Sequence, residues 1–257
     1  MNLSQDTLLA DKPISVLEHL SELRRRIIWC IASVVICFAL SYHYSSRIYL
    51  FLARPLTYLL RQQGSEPQLI FTALTEAFFT YIKVSVFSAI FISIPVILFQ
   101  IWLFINPALY PREKRIFRTL VVSAPLLFLT GAALAYFIVI PLAWRFFLSF
   151  QVSGSVVGAN IELQAKVSEY LSLVMHIVMA FGFAFELPVV LSALCYFGIV
   201  QSSTLKNCRR HACVGSFALA AILTPPDVIT QISLAIPLMI LYEISIYSTK
   251  IIDNNRV

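Results

Sequence analysis

Long apolar windows separated by short polar stretches set the architecture of this chain before any motif is considered. Residues 27 to 46, 78 to 105, 119 to 148 and 168 to 197 form four such windows. Two more, 212 to 224 and 228 to 247, are parted only by Pro225, Pro226 and Asp227. A helix crossing a bilayer core needs about 20 apolar residues, and the first four windows meet that easily. The fifth would span roughly 20 Å against a core of about 30 Å. Such a helix either thins the bilayer or leans on longer neighbours. A re-entrant hairpin is the alternative, but the basic residues before this pair and Lys250 after it favour two crossings. The pattern predicts a single all-α polytopic membrane domain of six transmembrane helices.

The polar segments carry their own signals. PISVLEHLSELRRRI, residues 13 to 27, places Ile14, Leu17, Leu20, Leu23 and Ile27 at helical spacing, with Pro13 suited to a first turn. Residues 1 to 26 are therefore expected to include a short amphipathic helix lying on the membrane surface, distinct from the first span. The connections at 47 to 76 and 149 to 168 are read as loops too small for an independent domain. No repeat and no low-complexity tract is visible.

Composition strengthens the membrane assignment. Hydrophobic residues make up 59% of the 257 and charged ones only 12%, where soluble domains carry about 25% charged; the mean hydropathy is +0.83. The formal charge of +6 does not point to nucleic acid, because the basic residues fall in short clusters between apolar windows. Arg24 to Arg26, Arg112, Lys114, Arg115, Arg118, Lys206, Arg209 and Arg210 share one side of a six-span arrangement. Arg47, Arg54, Arg61, Arg145 and Lys166 fall on the other. The positive-inside rule then places both termini in the cytoplasm. The start of the chain mixes acids with scattered leucines and lacks a cleavable-leader pattern, so the first span is expected to act as an uncleaved insertion signal. The five cysteines lie in spans or in one basic loop, which argues against a disulfide framework. CRRHAC, 208 to 213, offers too few ligands for zinc.

Enzyme motifs are missing: there is no P-loop, HExxH or Gly-rich phosphate turn. No cofactor and no metal is expected. Charged groups within the windows are more informative. Glu186 stands in FGFAFELPVV, residues 181 to 190, where an ionisable group costs about 3 kcal/mol on insertion scales. Lys83 is a poor partner, since helical rise separates the two by about 18 Å in depth; it is expected to snorkel outward. Gly182 is expected to leave room for another body beside Glu186, and Pro188 to loosen the backbone there. Two readings stay open for this acid: a neutral group hydrogen-bonded inside the bundle, or a polar spot lining a cavity that receives cargo. On the cytoplasmic side Glu22 precedes three arginines, and Glu113 sits among Arg112, Lys114 and Arg115. These acids are either surface ion pairs of little consequence or a fork-like receiver for guanidinium groups.

Five segments together resemble the TatC family, the multi-span core subunit of the twin-arginine protein translocase. They are HLSELRRRI (19 to 27), FINPALYPREKR (104 to 115), FGFAFELPVV, LTPPDVITQ (223 to 231) and AIPLMILYE (235 to 243). The resemblance runs from about residue 13 to 248, in order and with family-like spacing. It implies a glove-shaped helical bundle in the bacterial inner membrane with both termini cytoplasmic. It also implies a receptor for folded precursors bearing twin-arginine signal peptides, with transport driven by the proton-motive force. By resemblance, Glu22 and Glu113 accept the two arginines, with Arg24 and Phe104 supporting the site. Glu186 would line the concave groove. Thr224 and Gln231, beside the turn Pro225, Pro226 and Asp227, would meet single-span TatA and TatB partners within a homo-oligomeric complex. Pro111 stands where the family more often has a polar residue, which leaves the proposed acceptors unaltered. A secondary transporter of a small solute using Glu186 and Lys83 is the rival reading; it calls for inverted repeats, which the chain does not display.

Overall fold

A computed structural model describes residues 16–62, 69–105, 114–149, 165–223 and 228–254. The chain begins there with α1 (Val16–His43) and α2 (Ser45–Gln62), then a two-residue strand β1 (Leu69–Ile70) and the long α3 (Glu76–Ile105). Next come α4 (Lys114–Leu134), a π-helical turn at Ala135–Val139, α5 (Ile140–Leu148) and β2 (Ala165–Lys166). The remainder is α6 (Val167–Phe185), α7 (Leu187–Tyr196), the short α8 (Ser202–Asn207), α9 (Arg209–Leu223) and α10 (Val228–Asn254). The fold is thus all-α apart from one short parallel pairing of β1 with β2, Leu69 to Ala165 and Ile70 to Lys166.

Among the described residues, four stretches are individually long and apolar enough to cross a membrane: 76–105, 121–148, 167–196 and 228–250. A fifth is the pair Leu17–His43 and Ser45–Gln62, bent by 78°. The fifteen residues of α9 fall short, as the sequence leads one to expect, at roughly 22 Å of helical rise. Neighbouring traverses run antiparallel. His19 of α1 stacks on Phe104 near the end of α3, Phe91 meets Phe128, and Trp144 meets Tyr170. The same alternation closes the bundle, where Arg209 at the start of α9 reaches Glu243 of α10 and Cys213 approaches Met239.

The core lies where α2, α3, α4, the π turn, α6 and α10 converge, around Leu56, Val84, Val139, Val174, Phe181 and Leu234. Two glycines allow α4 and α6 to touch. A Cβ on Gly131 would lie 2.5 Å from the Phe181 carbonyl oxygen, and one on Gly182 would lie 2.5 Å from Phe128 Cε2. Close approach through small residues is how helices gain dispersion contacts in a medium without a hydrophobic driving force.

Two sequence expectations need correction here. The amphipathic segment before residue 27 is not a separate surface helix: from Val16 onward it is the first part of α1, which continues unbroken to His43. Helical propagation is cooperative, and no proline or glycine interrupts residues 16 to 43. The connection at 47 to 76 is likewise no mere loop. It holds the eighteen-residue α2, whose Leu52, Ala53, Leu56, Leu59 and Leu60 are buried while Arg47, Arg54 and Arg61 are exposed.

Prolines inside helices leave carbonyls without their usual donors, and tyrosines supply one replacement. Pro55 removes the N–H that would bond the Phe51 carbonyl of α2. Tyr136 in the π turn donates its hydroxyl to that oxygen at 2.6 Å, and its ring stacks on Phe51 at 4.6 Å. One residue on, Tyr170 donates to the Leu52 carbonyl at 2.8 Å. The π turn, which aims Tyr136 at α2, had no recognisable signal in the apolar window.

Candidate functional site

The corner between the start of α1 and the end of α3 brings together two of the residues expected from sequence, Glu22 and Phe104. His19, Glu22 and Arg26 recur at helical spacing and so share one face of α1. That face meets Gln100 and Phe104, which are four apart on α3. Arg26 Nη2 donates to Glu22 Oε1 at 2.8 Å, while its Nη1 donates to Gln100 Oε1 at 3.2 Å. Both charged side chains are about three-quarters covered, at 24% and 25% exposure. The His19 and Phe104 rings lie 4.2 Å apart, inclined by 20°, and form an aromatic plate one turn before the ion pair.

This geometry orients the Glu22 carboxylate through Oε1, with Oε2 accepting no hydrogen bond among the described residues. Arg26 Nε is shielded and has no acceptor. Arg24 is exposed and lies two residues from Glu22, hence on the opposite side of α1; the fold does not bring it to the acid. Glu113 lies outside the described residues. His19, Arg26 and Gln100 were not picked out from sequence. The i, i+3, i+7 spacing of His19, Glu22 and Arg26 was a usable signal, whereas Gln100 was recognisable only once α3 was seen beside α1.

Glu186 marks a break in the bundle. Its N–H donates to the Phe183 carbonyl, a tightened end of α6, and its own carbonyl accepts from Val190 N–H in α7. Pro188 sits in the first turn of α7, so the loosened backbone expected from that proline is present. The side chain is half-buried, and Oε1 is shielded without a donor. The space expected at Gly182 for an incoming body is taken by the chain's own Phe128 ring. A flat glycine surface admits the nearest large side chain, and in this bundle that is the facing residue of α4. Lys83 lines a cleft between α3 and α6 with Ser172, His176 and Met179. The cleft thus lies about two turns or more before Glu186 along α6.

Where α9 meets α10, Gln231 Nε2 donates to the Phe217 carbonyl at 3.4 Å. Its amide is therefore engaged within the chain at least on the donor side. Thr224, Pro225, Pro226 and Asp227 lie outside the described residues. At the opposite end of the pair, Arg209 and Glu243 close to 2.8 Å.

On the far face of the bundle, Glu76 acts as a clip. It accepts from Thr72 N–H at 2.7 Å, Thr72 Oγ1 at 3.0 Å and Ala73 N–H at 3.2 Å. Its other oxygen accepts from Ser168 Oγ at 2.6 Å. This joins the segment after β1 to the start of α6, beside the β1–β2 pairing.

Comparison with known proteins follows the same outline. Residues 18–237 match the family described as TatC, Sec-independent protein translocase protein. The chain is 45% identical over 245 residues to the Sec-independent protein translocase protein TatC of Rickettsia prowazekii (strain Madrid E), covering 95% of this chain and 96% of that protein. It is 40% identical over 235 residues to the protein of the same name from Escherichia coli (strain K12), covering 91% and 88% respectively. A solved structure described as the twin arginine translocase receptor TatC superposes with a TM-score of 0.75 at 40% identity, covering 92% of this chain and all of the other.

Proposed function

This chain belongs to the TatC family of Sec-independent protein translocase proteins, and from that premise we propose that its α1–α3 corner receives the paired arginines of signal peptides. As a member it is a multi-pass membrane component of the twin-arginine translocase. The finer reading is that it works without catalysis in the bacterial inner membrane, with both termini cytoplasmic. It would bind folded precursors through their signal peptides and pass them on with TatA- and TatB-type single-span partners, driven by the proton-motive force.

The observation that carries this reading is the Glu22 carboxylate, held on one oxygen by Arg26 and open on the other, beside the His19–Phe104 plate. A guanidinium is planar and stays charged, so it can bond the open oxygen while lying flat against an aromatic ring. Lysine can do the first but presents no plane for the second. Glu113 is proposed as the second acceptor. Arg26 then has a clear part: it positions Glu22 and offsets its charge until a stronger bidentate donor arrives. The hydrophobic stretch of the signal peptide is proposed to lie toward Glu186, and Thr224 and Gln231 to contact partner helices.

The test is site-directed crosslinking of a twin-arginine precursor to the inserted protein. Glu22→Ala and Glu113→Ala are each expected to abolish the adduct while membrane insertion is retained. An undiminished adduct in both variants would overturn the assignment.

A further inference from the structure

α2 lies across the end of the bundle opposite the α1–α3 corner, bent 78° away from α1. Its buried face is leucine-rich, but its outward face alternates charge and apolar area. Arg54 and Arg61 stand two turns apart with the exposed Tyr58 between them and Phe51 beside them. None of the ion pairs among the described residues involves either arginine. Arginines interleaved with aromatic rings on a helix lying across a bundle end are characteristic of headgroup depth, where apolar stems stay in the acyl region and charges reach phosphate.

Two clefts lie side by side beneath this face. The outer one, about 430 Å³, is lined by Arg54, Thr57, Tyr58, Arg61 and Pro141, with no acidic residue among the described residues of its wall. The other, about 350 Å³, is an open groove between α3 and α4, lined by Phe87, Phe91, Leu129 and Ala133, and almost wholly apolar. Phe51, Tyr136 and Phe137 line both, so the two share a wall: the stacked Phe51–Tyr136 pair stands between them and the exposed Phe137 forms the rim they have in common. Each volume falls in the range of small-molecule sites, about 300–1,000 Å³. Side by side, they present two cationic forks next to an apolar groove that opens to the lipid side.

We propose that these adjoining clefts bind one anionic phospholipid from the leaflet at the α2 face. Its phosphate sits between the Arg54 and Arg61 guanidiniums, which pair with phosphate oxygens bidentately. The Tyr58 hydroxyl lies at glycerol depth. One acyl chain runs over the exposed Phe137 rim and lies in the apolar groove against α3 and α4. Charge complementarity selects the occupant: two arginines that form no ion pair with any described residue favour a headgroup of net negative charge over a zwitterionic one. The site is independent of the signal-peptide reading, since it lies at the other end of the bundle.

The experiment is native mass spectrometry of the full-length chain released from nanodiscs of phosphatidylglycerol or of phosphatidylcholine. Wild type is expected to retain one phosphatidylglycerol and at least ten-fold less phosphatidylcholine. Arg54→Gln combined with Arg61→Gln should lose the adduct at least ten-fold. Ala133→Trp, which fills the apolar groove and leaves both arginines in place, should lose it as well. Arg47→Gln, on the same helix but lining neither cavity, should retain it. Retention by the double variant, equal retention of phosphatidylcholine, or equal loss in Arg47→Gln would overturn the proposal. So would displacement of the adduct by soluble glycerol phosphate, which would reduce the site to a surface anion pocket.

Discussion

Replacing Gly131 or Gly182 with alanine sets two effects of opposite sign against each other. In a helix interior alanine is favoured over glycine by about 1 kcal/mol, so an open site would be stabilised. The seam between α4 and α6 is not open. At Gly131 the new Cβ would sit 2.5 Å from the Phe181 carbonyl oxygen and 2.7 Å from Phe185 Cγ. At Gly182 it would meet Phe128 Cε2 at 2.5 Å and Cζ at 2.7 Å. Carbon contacts are comfortable at about 3.5–4.0 Å, so relief requires a shift on the order of 1 Å. Overpacking of this kind costs about 1–3 kcal/mol, and parting the helices forfeits further contacts along the seam. The cost exceeds the propensity gain, giving a net loss on the order of 1–2 kcal/mol at either site. The two glycines differ in what can yield. Phe128 is a side chain, so Gly182→Ala should be largely rescued by Phe128→Leu. Gly131 faces a backbone oxygen, so Phe185→Leu should rescue Gly131→Ala poorly. The assay is thermal unfolding of the purified chain in detergent, followed by circular dichroism, for each single and double variant. At about 2–4 °C per kcal/mol, falls of several degrees are expected, with a favourable coupling only in the Phe128–Gly182 pair. A melting temperature at or above wild type for Gly131→Ala would refute the close seam.

Three further outcomes follow from single contacts. Tyr136→Phe leaves the Phe51 carbonyl without its donor and should lower stability by about 1–3 kcal/mol; adding Pro55→Ala, which restores a backbone N–H to that carbonyl, should shrink the loss, and an undiminished loss would discount the hydrogen bond as its cause. Glu186→Leu removes a shielded oxygen with no donor, so it should raise thermal stability while lowering export of a twin-arginine reporter; a fall in stability would mean that the acid is satisfied in the bundle. Glu76→Ala removes both acceptor oxygens of the clip, so hydrogen exchange at the Thr72 and Ala73 amides should accelerate, with unchanged exchange counting against the clip.

Much of the site geometry bears on these tests because the family resemblance names residues but not their neighbours. Glu22 and Phe104 were singled out separately, and the structure places them on facing helices at one corner through Arg26, Gln100 and His19. Arg24 stood beside Glu22 in the sequence yet points away, because adjacency along a helix is not adjacency in space. Gly182 was rightly read as a place of close approach, but its occupant is Phe128 of the same chain. The amphipathic α2 was readable in principle, since Arg47, Arg54 and Arg61 repeat every seven residues with leucines between them. A half-polar helix of this kind forms no long apolar window, which is why the segment reads as a loop.

By itself the sequence determined what depends on sums over neighbouring residues: the apolar traverses, the shortness of α9, the break at Pro188 and the sidedness of charge. Each is a local property, settled by transfer free energy per turn and by the missing N–H of proline. Tertiary structure alone decided which faces meet. Only packing could pair Arg26 with Gln100, set Phe128 into Gly182, or aim Tyr136 at a carbonyl eighty-five residues away. Such contacts arise from helix rotation and depth, which a bilayer leaves nearly free until side chains interlock.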